Sequence, residues 1–210
     1  MRAQRRMHGK RTIRAGVQPS PDPISLFKTW FREASAAGTL LPEAMALATA
    51  TQQGAPSVRM VLHRGFSKGG FVFYTNYSSR KAVELLENPR AAFVFHWPMT
   101  GKQVRGEGRV EKLGRRESEM YFQRRPRESR LSAWASPQSA EISGRDFLDA
   151  EFARFEAKFA GKNIPCPPFW GGFRIVANCI EFWRGQPHRL HDRLVFRRKG
   201  NSWAVLRLGP

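Results

Sequence analysis

Short apolar runs, each closed by a turn signal, recur along most of this chain. That spacing restricts it to a sheet of many short, neighbouring strands. Met45 to Thr51 reads as a strand, Gln53-Gly54-Ala55-Pro56 as a turn and Ser57 to Arg64 as a second strand. Ser67-Lys68-Gly69-Gly70 marks the next turn and Phe71 to Thr75 the third strand. Ala91 to Trp97 and Lys102 to Lys112 form a further pair. Short strands at Phe173–Val176, Ile180–Trp183, Leu194–Arg198 and Trp203–Leu208 close the chain. Helices fall at the flanks. Asp22-Pro23 starts the first, a capping carboxylate followed by proline at the first helical position. Ile24, Phe27, Trp30, Phe31 and Ala34 then recur at helical spacing up to Gly38. Ser79 is expected to cap a short helix through Leu86, and Ser143 a long one through Lys158. Arg115–Gln123 and Ser129–Trp134 are expected to be helical. The class that follows is mainly β with flanking helices (α+β), as a closed or split β-barrel. No Gly-x-Gly-x-x-Gly opens a helix after a strand and no P-loop is present, so the dinucleotide and NTPase signatures are missing. Residues 1–18 read as a basic arm and residues 19–210 as a single domain.

Charge says what kind of partner to look for. The chain carries 36 Lys and Arg against 17 Asp and Glu, a formal charge of +19. Such an excess points to a polyanion or to several phosphate-bearing small ligands. Arg2, Arg5, Arg6, Lys10, Arg11 and Arg14 gather in the arm, and the remaining excess is dispersed among strands and helices. No helix-turn-helix, zinc-finger or aromatic RNP pattern accompanies it, so a nucleic-acid reading rests on charge alone and no nucleic acid is expected. No apolar run approaches the roughly 18 residues of a membrane-spanning helix, and the N-terminus lacks the apolar stretch of a secretory signal. A cytoplasmic protein without a membrane partner is expected. Cys166 and Cys179 fit no CxxC spacing.

The densest chemistry lies near the C-terminus, where Trp183 to Arg193 packs two His, three Arg, an Asp and a Trp between two strands. Cationic forks beside imidazoles suit an anionic, ring-bearing ligand; a solvated basic loop is the competing reading. His188-x-x-His191 with Asp192 has a spacing open to a metal, but neighbouring arginines repel a cation and no third ligand cluster supports one, so no metal is expected. Arg80-Lys81 at a helix start is either a phosphate site or a solvated helix end. Gln103, Gln138 and Ser139 are able to hydrogen-bond a heterocycle. Tyr121, Arg125 and Ser129 recur at spacing four, as a second phosphate site or an ordinary exposed face, with Pro126 arguing for a break. Arg59 and Arg64 are an odd distance apart, which puts them on opposite faces of a regular strand unless a bulge intervenes. No nucleophile elbow and no carboxylate pair for hydrolysis are present, which leaves cofactor-borne chemistry as the enzymatic option.

Taken in order, these segments carry a resemblance. They are Arg59-Met-Val-Leu62, Phe71-Val-Phe-Tyr-Thr-Asn76 with Ser79-Arg-Lys81, and Gln103-Val-Arg-Gly-Glu-Gly-Arg-Val110. Tyr121-Phe-x-x-Arg-Pro126, Ala133-Trp134 with Gln138-Ser139, Phe169-Trp-Gly-Gly172, Ile180-Glu-Phe-Trp183 and Arg189-Leu-His-Asp-Arg193 follow. From about Asp22 to Pro210 the chain resembles the pyridoxamine (pyridoxine) 5′-phosphate oxidase family of FMN-binding split barrels.

The resemblance implies a homodimer with two active sites at the subunit interface, each holding one FMN. Flavin contacts would come from Arg59, Met60, Val61, Leu62, His63, Arg64, Tyr74, Thr75, Arg80, Lys81, Gln103, Gln138, Ser139, Trp183 and Arg193. Tyr121, Arg125 and Ser129 would hold the substrate phosphate with Arg64, while Arg189, Leu190 and His191 meet the pyridine ring. Arg189 and His191 would be the catalytic pair. The implied reaction passes a hydride from C4′ of pyridoxamine or pyridoxine 5′-phosphate to the flavin N5. Oxygen then reoxidises the flavin, giving hydrogen peroxide and pyridoxal 5′-phosphate in vitamin B6 metabolism. Two departures stand out. The family usually has Lys where this chain has Arg64, and the arm has no Tyr before Tyr74. They leave room for a related split-barrel flavin oxidase with another ring substrate, of the phenazine-biosynthesis kind.

Overall fold

The computed structural model describes residues 22–210, so the basic arm expected over residues 1–18 lies outside the described residues. Helix α1 (Pro23–Ala36) begins where its cap predicts: the Asp22 carboxylate accepts from the backbone N–H groups of Ile24 and Ser25 at 3.1 and 2.9 Å. It is followed by β1 (Ala44–Ala50), β2 (Pro56–Leu62), a two-residue β3 (Phe66–Ser67) and β4 (Gly70–Asn76). Then come α2 (Arg80–Glu87), β5 (Arg90–Trp97), β6 (Lys102–Lys112), and three helices, α3 (Arg115–Gln123), α4 (Arg127–Ala135) and α5 (Arg145–Lys158). The chain ends with β7 (Trp170–Arg184), β8 (Asp192–Lys199) and β9 (Ser202–Arg207).

All the strands join one antiparallel sheet in the order β2-β1-β5-β6-β7-β4-β3, with β8 pairing β7 and β9 pairing β8. The sheet curls until its ends meet. Just past β2 the Arg64 N–H donates to the Val72 carbonyl at 2.8 Å, and the Val72 N–H returns to Gly65 at 2.9 Å. Alternation explains what fills the barrel: Met45, Leu47 and Thr49 on β1, and Ala91, Phe93, Phe95 and Trp97 on β5, all face inward. Phe27 of α1 plugs one opening, with ring contacts to Phe66, Phe71 and Phe95. A second cluster, Phe122, Leu131, Phe155, Phe159 and Trp170, packs α3–α5 against the start of β7.

Several expected boundaries shift. The two strands expected at Phe173–Val176 and Ile180–Trp183 are one, β7, which pairs along its length with β6 and changes its other partner from β4 to β8. Asn178, which lies between the two expected runs, is a bulge, skipped between the Ala177–Gly108 and Cys179–Glu107 pairs. A Cβ at Gly108 would run into the Val176 carbonyl, so the bulge requires glycine there. The long helix is preceded by Gly144 rather than capped by Ser143. Ser79 holds the cap position of α2 without capping it; its hydroxyl donates to the Asn76 carbonyl at 2.7 Å. Pro126 does break the helix, so Tyr121 lies on α3 and Ser129 on α4. Among the described residues no helix is long and apolar enough to cross a membrane.

Candidate active site

A cleft of about 760 Å³ opens against β2, between the end of β4, the start of α2 and the α3–α4 region. Its wall includes Arg59, Met60, Val61, Leu62 and Arg64 from β2 and the residues just after it. Tyr74 and Thr75, Arg80 and Lys81, Tyr121 and Arg125, and Gln138 and Ser139 complete it. Arg59 and Arg64 thus share a cavity, contrary to the opposite faces expected of a regular strand. The strand stops at Leu62, and Gly65 at φ 98° turns the chain. His63 is the correction on this strand. Its side chain, 7% exposed, points into the barrel among Phe27, Phe66, Phe71 and Phe95, not into the cleft. Burial, reinforced by the Arg64 charge, pulls its pKa down to about 4.

One end of the cleft is cationic and anchored. Lys81 is buried and donates to the hydroxyls of Thr75 and Ser79, both at 3.2 Å. Burial, followed by the Arg59 charge, brings its pKa to about 8. The Gln138 carbonyl oxygen accepts from Thr75 Oγ1 at 3.0 Å and the Asn76 N–H at 3.3 Å, which fixes that amide at the cleft wall. Ser139 follows in a left-handed conformation, φ 71°, unusual for a residue other than glycine. Beneath this end lies Glu84, 4% exposed, which the sequence reading passed over. Its only signal was the i,i+4 spacing to Arg80.

The other end is aromatic. Tyr74, Tyr121 and Trp170 stack nearly parallel, with Tyr74 3.9 Å from Tyr121 and 5.4 Å from Trp170. Burial first, then the nearby Glu117 carboxylate, pushes Tyr74 up to about 12, so it stays a neutral phenol. Arg125 lies over Trp170 at 4.7 Å, and its buried Nη1 has no hydrogen-bond partner. A buried guanidinium nitrogen left unpaired costs on the order of 1–3 kcal/mol, more for a charged group, and an anion in the cleft would relieve it. Ser129, half-buried one helical turn before Ala133, is not among the lining residues, although Ser132, Ala133 and Ser136 are.

The remaining expected residues stand apart. Gln103 lies on β6 opposite Trp183, and Trp183 opposite Arg193. Neither these nor Arg189, Leu190 and His191 line the cleft. Gln103 stands on β6, which gives no residue to the cleft wall, and Trp183 near the end of β7, which meets the wall only through Trp170 at its start. The turn itself is held in place. His188 and Arg189 both adopt left-handed backbone, φ 59° and 61°. His191 Nδ1 accepts from the Gln186 N–H at 3.2 Å, so the neutral ring carries its proton on Nε2. Trp183 packs against that ring at 4.6 Å. Arg193 is clamped by the buried Glu181 at 2.8 and 3.1 Å, and Arg105 clamps the same carboxylate from the other side. Among the described residues no three His, Cys, Asp or Glu side chains gather as metal ligands.

Residues 31–159 match the family described as pyridoxamine 5′-phosphate oxidase. The chain belongs to that family. Residues 170–210 match the pyridoxine 5′-phosphate oxidase C-terminal dimerisation region. A pyridoxine/pyridoxamine 5′-phosphate oxidase of Coxiella burnetii is 53% identical over 189 residues, 90% of this chain and 96% of the relative. One of Cupriavidus taiwanensis is 51% identical over 192 residues, 91% and 90% of the two chains. Among solved structures, PhzG from Burkholderia lata 383, in complex with tetrahydrophenazine-1-carboxylic acid, has a TM-score of 0.87 at 35% identity. That match covers 91% of this chain and 94% of PhzG. A pyridoxamine 5′-phosphate oxidase-related, FMN-binding protein of Nostoc punctiforme shares the fold, with a TM-score of 0.73 at 17% identity over 91% of this chain and 99% of that one. The barrel, the family and its cofactor FMN therefore agree with the resemblance carried by the motifs.

Proposed function

We propose that this chain oxidises pyridoxamine 5′-phosphate or pyridoxine 5′-phosphate to pyridoxal 5′-phosphate, with FMN as cofactor and oxygen as final acceptor. Its curated relatives at about 50% identity carry that activity in their names. The observation that supports the reading is that the cleft wall carries cations in two places, Arg80 with Lys81, and Arg125 with its unpaired nitrogen. A cofactor and a substrate that each bear a phosphate call for two such sites.

Arg80 and Lys81, with Thr75, Gln138 and Ser139 beside them, would hold the flavin phosphate and ribityl chain. Met60, Val61 and Leu62 would offer backbone and apolar surface to the ring. Tyr121 and Arg125, with Arg64 and Ser129, would take the substrate phosphate. When bound, FMN supplies the two-electron acceptor for the C4′ hydride and passes the electrons to oxygen, yielding hydrogen peroxide. The protein's part is to bind, orient and exclude water. Arg189 would clamp the pyridine ring, and His191 would present its Nε2–H to it, with Trp183 and Arg193 against the flavin.

Because Gln103, Trp183 and Arg189–Arg193 lie away from the cleft of their own copy, each site would be assembled from two copies. The match of residues 170–210 to a dimerisation region and the exposure of Val58, Met60 and Leu190 fit a homodimer. Its setting is read as the cytoplasm, in keeping with two unpaired cysteines.

Purified protein is expected to be yellow, and its flavin band to bleach when pyridoxamine 5′-phosphate is added without oxygen. A protein that takes up no flavin would overturn the reading. Flavin binding with no turnover of either vitamin phosphate would move it to a phenazine-type oxidase.

A further inference from the structure

Glu84 sits behind the cationic end of the cleft. Its Oε2 accepts from Ser57 Oγ at 2.6 Å, from the Thr49 hydroxyl, and from Arg59 at 3.4 Å. Its Oε1 accepts from Arg80 Nε at 2.9 Å. Donors from β1, β2 and α2 therefore converge on one buried carboxylate. Burial alone would raise its pKa, but the hydrogen bonds from Ser57, Thr49 and Arg80 and the Arg59 charge outweigh this and hold it at about 2. It is an anion at any working pH.

The two arginines it touches are not equivalent. Arg59 directs both terminal nitrogens inward, Nη1 to the Leu47 carbonyl and the Thr49 hydroxyl, Nη2 to Ser57 and Glu84. Arg80 gives Glu84 only its Nε, and among the described residues its terminal nitrogens have no protein partner. Glu84, shared by Arg59 and Arg80, offsets one of the three positive charges of Arg59, Arg80 and Lys81. Arg80 and Lys81 are left to face the cleft as two positive charges, matching a phosphate monoester of charge near −2.

We propose that Glu84 is the positioning residue of the cofactor's phosphate site: it locks Arg59 into the cleft wall and pivots Arg80 by its Nε. The outer edge of the Arg80 guanidinium is thereby presented to the phosphate beside Lys81. The inference rests on the reading of the cleft as the FMN site, and it makes a counterintuitive demand. Coulomb attraction by itself says that removing a buried anion a few ångströms away should tighten the binding of a dianion. A positioning role says it should loosen, because Arg80 loses its pivot and Arg59 is released to swing.

The test measures dissociation constants of FMN and of riboflavin, which lacks the phosphate, by flavin fluorescence quenching. Wild type, Glu84→Gln and Glu84→Asp are compared, with thermal unfolding of each apoprotein as the folding control. Glu84→Gln is expected to weaken FMN at least about tenfold, the lower end for a lost charge-assisted hydrogen bond, and to leave riboflavin unchanged. Glu84→Asp keeps the charge and shortens the reach, so it is expected to weaken FMN several-fold while folding normally. Binding of FMN to Glu84→Asp at wild-type strength, or to Glu84→Gln at or above it, would overturn the proposal. An equal loss of riboflavin and FMN would overturn it too, since that is general damage to the fold. A wild-type protein that does not prefer FMN over riboflavin would sink the reading of the cleft itself, a different and separable failure.

Discussion

The cleft on β2 and the turn between β7 and β8 anchor arginine in the same way and differ in what they leave loose. In the cleft, buried Glu84 fixes Arg59 and Arg80; beside the turn, buried Glu181 fixes Arg193 and Arg105. Each buried carboxylate is matched by more than one cationic donor, the condition under which a buried charge is tolerable. The residues assigned to the substrate are held less firmly. Arg189 and Leu190 are exposed, and His191 and Arg125 half-buried, the latter with a nitrogen unpaired. A cofactor that stays bound is served by preset cations, whereas a substrate that must enter and leave is served by groups that gain partners only on its arrival.

The sharpest way to break this comparison is to cripple each region in a separate copy. Arg80→Ala and Arg189→Ala proteins should each keep about a tenth of wild-type activity or less, and after mixing and subunit exchange should rise to about a quarter of it. Half of the dimers are then mixed, and each mixed dimer has one intact site of two. No recovery would mean that cleft and turn belong to the same copy's site. Next in size, Arg189→Ala alone should lower kcat/KM roughly 10- to 100-fold, the range of one charged hydrogen bond, while the protein stays yellow. A folded but colourless variant would erase the division between cofactor and substrate groups. Arg125→Met should act mainly on KM for the phosphorylated substrate, by about tenfold or more, and leave FMN affinity alone. Loss of flavin instead would place the cofactor phosphate at the aromatic end.

The smallest effect tests the barrel interior just past β2. His63 has a folded pKa of about 4, below the ordinary value of 6.5, so the unfolded chain binds a proton in that window and the folded chain does not. Its contribution is fully present above pH 6.5 and is lost as pH falls towards 4, by at most about 3 kcal/mol. His63→Leu should flatten the stability profile over that range in urea titrations and leave flavin binding unchanged. A change in FMN affinity would show that this side chain reaches the cleft after all.

Much of the cleft was legible through the family resemblance, whose motifs are short local groups such as Arg59–Leu62, Tyr74–Thr75 with Arg80–Lys81, and Gln138–Ser139; from the residues alone Arg80–Lys81 stayed open between a phosphate site and a solvated helix end. Strand periodicity and helix starts place each group on its element without knowledge of distant contacts, but they do not say which groups meet. His63 failed for a reason that alternation does not contain: it has the same parity as Arg59 and Val61, which line the cleft, but it lies past the end of β2 at Leu62, where its ring packs among Phe27, Phe66, Phe71 and Phe95. Glu84 escaped because on a helix surface it is indistinguishable from any solvated carboxylate; only packing against β1 and β2 buries it and supplies its donors.

The sequence by itself determined the elements, the class of barrel, the helix cap at Asp22 and the family, since all of these depend on local pattern and on the order of motifs. The tertiary structure decided the rest. It turned two expected strands into β7 with its bulge at Asn178, brought Arg59 and Arg64 to one cavity by ending β2 at Leu62, and set Glu84 behind Arg80. It also separated Gln103, Trp183 and Arg189–Arg193 from the cleft. Burial and cross-strand position are non-local properties, set by which strands lie side by side, and no run of residues read along the chain contains them.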